Sequence, residues 1–155
     1  MAGIYTVSFT GVAVTAAQDL FEISPADDQP VELCGLFIAQ TSDVGDAADE
    51  VLGFQVIRGF TASGSGGSTP SKVPVKRGMP AAGFSAEANN TTVANTGTSV
   101  TLHDDAFNVR AGLALWWPDG FEPDASQKDT TIVVRIPAPA DSLTMKATLY
   151  VREIG

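Results

Sequence analysis

Apolar and polar residues alternate most strictly near the C-terminus, where Leu143, Met145, Ala147, Leu149 and Val151 interleave with Thr144, Lys146, Thr148, Tyr150 and Arg152. A period of two sustained this long predicts a strand with one dry and one wet face; a helix would scatter the same apolar residues around its circumference. Near the N-terminus Tyr5, Val7 and Phe9 share one parity against Ile4, Thr6 and Ser8, and Gly11 permits a bend or bulge before Val12 and Val14. Thr15-Ala16-Ala17-Gln18 has capping-box spacing and predicts one helical turn before Leu20-Phe21-Glu22-Ile23 extends again. Residues 31–40 are apolar on both parities, as in a central strand covered on two sides, and Leu52, Phe54 and Val56 align in a strand over 52–60. Phe107, Val109, Ala111, Leu113, Leu115 and Trp117 keep one parity and predict one further strand, followed by another through Ile132, Val134 and Ile136.

Turn residues separate these runs. Pro25 to Pro30 encloses Asp27 and Asp28, Pro118, Gly120 and Pro123 mark a second turn region, and Pro137 and Pro139 a third. Residues 89–99 are polar and Thr-rich, a connection or an edge strand. Residues 61–83 change character: Ser63-Gly64-Ser65-Gly66-Gly67-Ser68 is flexible, and Pro70, Pro74 and Pro80 stiffen the remainder of the segment. A linker between two domains is one reading; a long excursion from one end of a sandwich is the better one, since neither side is obviously self-sufficient. Roughly eight to ten short strands with at most one or two helical turns predict an all-β fold. The expectation is an antiparallel β-sandwich of jelly-roll or Greek-key type, one domain over 1–155 with a long Gly/Ser/Pro-containing loop at 61–83.

The 155 residues are 44% hydrophobic and only 17% charged, which excludes disorder of the whole chain. A single Cys and a single His provide neither a disulfide framework nor a zinc site. The net charge of −9 is uneven: the nine acids before Arg58 meet no Lys or Arg, and the nine after it meet nine bases. Such a surface repels phosphate, which argues against a nucleic-acid partner and against an anionic membrane. No basic segment precedes an apolar stretch at the start, and no run approaches the ~18 apolar residues of a membrane span. Synthesis as a soluble protein in the cytoplasm is the expectation.

Catalytic chemistry finds little material. His103 lies in Leu102-His103-Asp104-Asp105, where either acid could orient it, but no Gly-x-Ser-x-Gly elbow exists and Cys34 falls in a strand that reads as buried. A turn histidine bonded to a neighbouring acid is the plainer account. Asp104 and Asp105 are adjacent, so in a strand they point to opposite faces and cannot form a glycosidase pair. Asp43, Asp46, Asp49 and Glu50 gather oxygen ligands that a hard cation favours, in a spacing that is wrong for an EF-hand. A solvated acidic loop or a capped helical turn explains them equally, so no metal and no cofactor is assigned. Gly64 to Gly67 lacks the Gly-Lys-Ser/Thr ending of a phosphate cradle.

Two features point to protein partners. If Trp117 faces the core, Trp116 faces outward beside Asn108, Arg110, Gly112 and Ala114, and an exposed Trp near an Arg has the composition of an interface anchor. The alternative places Trp116 under a loop of its own subunit. Lys72-Val73-Pro74-Val75-Lys76-Arg77 is the densest basic stretch of an acidic chain. Its Lys72, Lys76 and Arg77 are either solvated loop charges or the means of docking onto a neighbouring copy's acidic face.

Several stretches carry a resemblance. They are residues 16–23 (Ala-Ala-Gln-Asp-Leu-Phe-Glu-Ile), Gly45-Asp46-Ala47-Ala48-Asp49-Glu50, Ile57-Arg58-Gly59 with the Ser/Gly run, Asn89-Asn90-Thr91-Thr92, Phe107-Asn108-Val109-Arg110-Ala111-Gly112 and the closing 143–155. Together they resemble a family of small proteins encoded among the virion genes of tailed bacteriophages and prophages. The resemblance implies a non-enzymatic capsid cement or decoration protein on the virion surface, with the major capsid protein as partner and a homo-oligomer, a trimer favoured. It transfers no individual binding residue. A competing expectation is a carbohydrate- or receptor-binding sandwich of a phage tail, with Trp116, Tyr150 and Phe121 as the aromatic candidates.

Overall fold

The computed structural model describes residues 2–42, 50–127 and 130–155. These form eleven strands and no helix: β1 (Gly3–Val14), β2 (Gln18–Ser24), β3 (Val31–Gln40), β4 (Val51–Phe60), β5 (Lys72–Pro74), β6 (Ser85–Asn90), β7 (Gly97–Asn108), β8 (Leu113–Trp116), β9 (Asp124–Ala125), β10 (Thr131–Ile136) and β11 (Leu143–Glu153). One sheet runs β5-β1-β11-β3-β8 with β9 alongside β3, and the other runs β6-β2-β10-β4-β7. Without the short β5 and β9 and the outer β6, β1-β11-β3-β8 faces β2-β10-β4-β7, the two layers of a jelly roll.

The period-two runs become the long central ladders. β1 and β11 pair from Gly3↔Glu153 to Val14↔Leu143, and the register slips between Phe9 and Val12, where Gly11 adopts φ +66°. Every odd-numbered residue of β11 is buried and every even-numbered one is not, as the alternation requires. Tyr5 and Val7 of β1, Leu36 of β3, Phe54 of β4 and Val134 of β10 meet Leu149 in one core shared by both sheets. At roughly 25 cal/mol for each Å² of apolar surface withdrawn from water, this shared core is the main stabilising term.

Three local expectations change. The predicted helical turn at 15–18 is absent: Gln18 already belongs to β2, and its amide donates to Asn89 Oδ1 at 2.8 Å instead of closing a cap. The single strand expected through Phe107 and Trp117 is two strands in different sheets. Ala111 and Gly112 donate to the Asn108 carbonyl at 3.1 and 3.0 Å, and Gly112 takes φ +74° with its α-carbon close against Ile38. That turn carries the chain from β7 in one sheet to β8 in the other while preserving the parity. His103, expected in a turn, stands inside β7 opposite Val56.

Residues 61–83 follow a defined path along one lateral edge of the sandwich. Ser65 bridges to Thr92 and Ser68 to Ala88, β5 pairs with β1, and the Tyr5 hydroxyl donates to the Pro80 carbonyl at 2.9 Å. The backbone N–H groups of Gly83 and Phe84 then donate to the Glu153 carboxylate.

Candidate functional site

The outer face of the β1/β11/β3/β8 sheet carries three packed aromatic rings. Trp116 ends β8, Phe37 lies on β3 and Tyr150 on β11; Trp116 is 5.1 Å from Phe37 and 4.9 Å from Tyr150 between ring centroids, and Phe37 is 5.9 Å from Tyr150. Register brings them together, since Trp116 pairs with Gly35 and Gly35 with Tyr150. Gly35 is what lets the indole lie flat: a Cβ there would sit 2.5 Å from Trp116 Cε3. Trp116 nevertheless remains 57% exposed, so its seat is fixed from below while its upper face meets solvent. A ring held this way loses little rotamer freedom when a partner covers it. Alongside is an open depression of 570 Å³, which shares Phe37 with the cluster and is lined also by Ala39, Ala114, Ser8, Thr148 and Lys146. The outward orientation expected of Trp116 is therefore present. Arg110 lies exposed at the β7–β8 turn, with its backbone N–H bonded to Asn108 Oδ1 at 2.9 Å.

At one end of this face the charges are paired. Arg152 holds Glu32 and Glu122 at 3.0 Å each and reaches Asp119 at 3.5 Å. The bond to Glu32 is the main reason its guanidinium is held above its ordinary range. Glu122 is held below the usual carboxylate range by backbone donors, the N–H of Gly120 among them, and by Arg152. Arg58 is bound to the side chain and carbonyl of Asp124. Cys34 lies buried beneath, and desolvation pushes its thiol upward, away from the thiolate a nucleophile needs.

His103 packs rather than reaches. Its ring stacks on Phe54 at 5.6 Å and meets Trp117 edge-on at 5.6 Å, with Asp105 3.8 Å away. The groove it borders, 460 Å³ in volume, is lined by Arg58, Trp117, Phe121, Glu122 and Asp124 among others, and among the described residues no hydroxyl or thiol side chain lines it. Asp104 turns to the opposite face of β7, where it accepts from Gln55 at 3.2 Å. Of the acidic stretch, Asp43, Asp46 and Asp49 lie outside the described residues; Glu50 accepts the Ala140 N–H. Among the described residues no group of three or more His, Cys, Asp and Glu is placed to hold a metal ion.

The basic stretch divides. Lys72 donates to the Phe84 carbonyl at 2.6 Å and lies 5.6 Å from the centroid of the Phe84 ring, so its charge closes the lateral edge of its own molecule. Lys76 and Arg77 are exposed in the turn after β5.

A second polar constellation was not anticipated from the sequence. Asp19 and Glu22 of β2 are both buried. Arg135 of β10 grips Asp19 with Nε at 2.6 Å and Nη2 at 3.0 Å, and also donates to the Ala94 carbonyl. Glu22 accepts the Gly64 N–H with both oxygens, at 2.8 and 3.1 Å, and so ties the Ser/Gly run to the sheet. Burial pushes its carboxyl up to about 7, the nearby Asp19 adds to the rise, and bonds from Asn90 and Gly64 oppose it. The available signal was an acid inside an apolar run, Leu20-Phe21-Glu22-Ile23, opposite a strand containing one Arg.

No family model matches the chain, and no curated protein matches it. Among solved structures, the chain is 14% identical to a chain of the T13 IBDV viral particle, covering 99% of this chain and 31% of that one at a TM-score of 0.25. It is 13% identical to a chain of the T=1 particles derived from Infectious Bursal Virus, covering 99% and 40% at a TM-score of 0.18. The chain thus spans less than half the length of either, and likeness at that level carries no functional weight.

Proposed function

We propose that this protein is a non-enzymatic head-decoration, or cement, protein of a tailed bacteriophage. In this reading it is made in the host cytoplasm, sits on the capsid surface of the virion and binds the major capsid protein of the assembled shell. The observation that carries the reading is the rigid, solvent-facing ring of Trp116, seated on Gly35 between Phe37 and Tyr150 and bordered by a shallow depression. A subunit that binds only the assembled shell stabilises it by mass action, and the effect multiplies over many copies. That task requires a stiff body and a pre-formed contact face, and the jelly-roll core with its immobilised aromatic cluster is suited to it. The resemblance to virion proteins supplies the setting.

The experiment is co-sedimentation of the purified protein with purified phage shells. Wild type is expected to saturate the shells at a fixed ratio, and Trp116→Ala to lose at least about tenfold in affinity, as truncation of a central anchor does. Failure of the wild-type protein to bind shells, or its absence from purified virions, would refute the assignment.

A second reading, a carbohydrate- or receptor-binding module of a phage tail, draws on the same face. Trp116 and Tyr150 offer ring surfaces beside the hydroxyls of Ser8 and Thr148, whereas Phe121 lies elsewhere on the molecule and adds nothing to that platform. Glycan-array binding that falls with Trp116→Ala, without shell binding, would favour it.

A further inference from the structure

The Ser/Gly run at 63–68 is not a loose excursion. Ser65 exchanges two backbone hydrogen bonds with Thr92, at 2.9 and 3.0 Å, and Ser68 exchanges two with Ala88, at 2.9 and 2.8 Å. Between these bridges the Gly67 N–H donates to Asn90 Oδ1 at 3.0 Å, and ahead of them the Gly64 N–H donates to both oxygens of Glu22. The glycines fit the surface beneath them. A Cβ on Gly64 would fall 2.0 Å from the Thr92 carbonyl oxygen, and one on Gly67 2.1 Å from that of Ala88. Residues 63–68 thus form a strap seated without clearance on the end of β6 and the segment that follows it.

The strap covers Glu22. Phe21 and Ile23 on either side of it face the shared core, so Glu22 points to the outer side of the β6-β2-β10-β4-β7 sheet. A side chain there meets solvent unless something lies over it. Glu22 is nevertheless 1% exposed, and the strap's Gly64 holds its carboxyl.

Charged groups reach this site from each element packed around it. Asp19 shares the strand of Glu22, and Arg135 of β10 is committed to Asp19 and to the Ala94 carbonyl. Glu87 of β6 is the register partner of Glu22 and accepts from Asn90 at 3.2 Å. Lys72 of β5 lines the same 440 Å³ cavity as Glu22 and Glu87, with its ammonium on the Phe84 carbonyl at 2.6 Å. Three acids therefore gather where the guanidinium is spent on Asp19 and the ammonium on a main-chain oxygen. Burial, with Asp19 adding to it, pushes the Glu22 carboxyl up to about 7. Neutral, Glu22 accepts the Gly64 N–H and has a proton to offer Asp19; ionised, it is a third carboxylate without a counter-charge of its own.

Lifting the strap brings water to that charge without breaking a strand, because residues 63–68 belong to none of the eleven. We propose that the strap is a proton-gated latch: it seats on the sheet while Glu22 is neutral, and ionisation of Glu22 drives it open with the strand framework left in place. The direction follows from the burial. The closed strap desolvates the charged form, the open strap does not, so opening becomes easier as pH rises through neutrality. Opening uncovers Glu22, Glu87 and the cavity they share, on the sheet opposite to the one that carries Trp116. The latch therefore goes beyond the decoration reading and does not rest on it.

The test is amide hydrogen exchange, read by mass spectrometry on the isolated protein at about pH 6 and about pH 8, with each rate referred to its intrinsic value. Peptides from 62–69 should be less protected than β11 at both pH values, the mark of a local opening. Their protection should fall about tenfold between the two, as expected if opening returns Glu22 from about 7 to 4.5. Glu22→Gln keeps an acceptor for Gly64 and removes the charge, so the same peptides should show no fall. Gly64→Ala cannot seat the strap and should leave 62–69 unprotected at both pH values while β11 stays protected; circular dichroism checks that both variants are folded. Strap protection equal to that of β11, protection that does not change with pH in wild type, an undiminished fall in Glu22→Gln, or a strap still protected in Gly64→Ala would each overturn the proposal.

Discussion

Replacing Glu22 by Gln should change the pH dependence of stability in a direction the structure dictates. The carboxyl is buried beside Asp19 and titrates at about 7 in the folded protein, against 4.5 when free. A folded-state value above the unfolded one means the native state holds more protons between these pH values, so unfolding becomes easier as pH rises through that window. Below about pH 4.5 the group is neutral in both states and costs nothing; above about pH 7 it is charged in both, and the native state bears the whole cost. The difference between 4.5 and about 7 corresponds to roughly 3 kcal/mol. Gln reproduces the neutral form: its carbonyl can accept the Gly64 N–H and its amide can donate toward Asp19. Urea unfolding of wild type and Glu22→Gln, from about pH 4.5 to about pH 8, reads the effect as a difference between two curves, so titrating groups that do not interact with Glu22 cancel. The variant should gain on wild type steadily as pH rises, by about 2–3 kcal/mol across the window. Parallel curves would refute the reasoning and mean that Glu22 is solvated or separated from Asp19.

Two further outcomes rest on the packing. Leu149→Ala removes a fully buried side chain at the centre of β11 and should cost about 2–5 kcal/mol in chemical denaturation; a loss under ~0.5 kcal/mol would mean the core is not closed around it. Gly35→Ala drives a methyl group into the indole of Trp116, so the ring must lift from the sheet. The near-ultraviolet dichroism of the aromatic cluster should fall while global stability drops by only about 1–3 kcal/mol, and an unaltered aromatic signal would show that the indole does not rest there.

Period two was enough to fix the strands that matter most. A ten-residue alternation has one stable solution at a core surface, which is why β11 and β1 were legible with their faces assigned. β3, apolar on both parities, was legible as a strand but not by face: the two-sided cover expected of it is absent, since Phe37 and Ala39 lie on an open face. Parity offered an outward Trp116 beside a place under its own loop, and the tertiary structure decided between them. The same parity was blind to the turn at Ala111 and Gly112, because an even-residue excursion between sheets leaves the alternation unchanged. The lone His and the paired aspartates were visible as residue types, but their burial and neighbours, which decide whether they act chemically, come from strands far away in sequence.

The amino-acid order by itself determined that this chain forms an antiparallel β-sandwich, because side-chain alternation is a local property read one residue at a time. Tertiary structure alone decided the jelly-roll order, the seating of Trp116 on Gly35 between Phe37 and Tyr150, and the burial of Glu22 against the Gly64 N–H. These depend on which strands become neighbours, and strand pairing joins residues such as Gly3 and Glu153, at opposite ends of the chain, through backbone hydrogen bonds that leave no trace in composition or period.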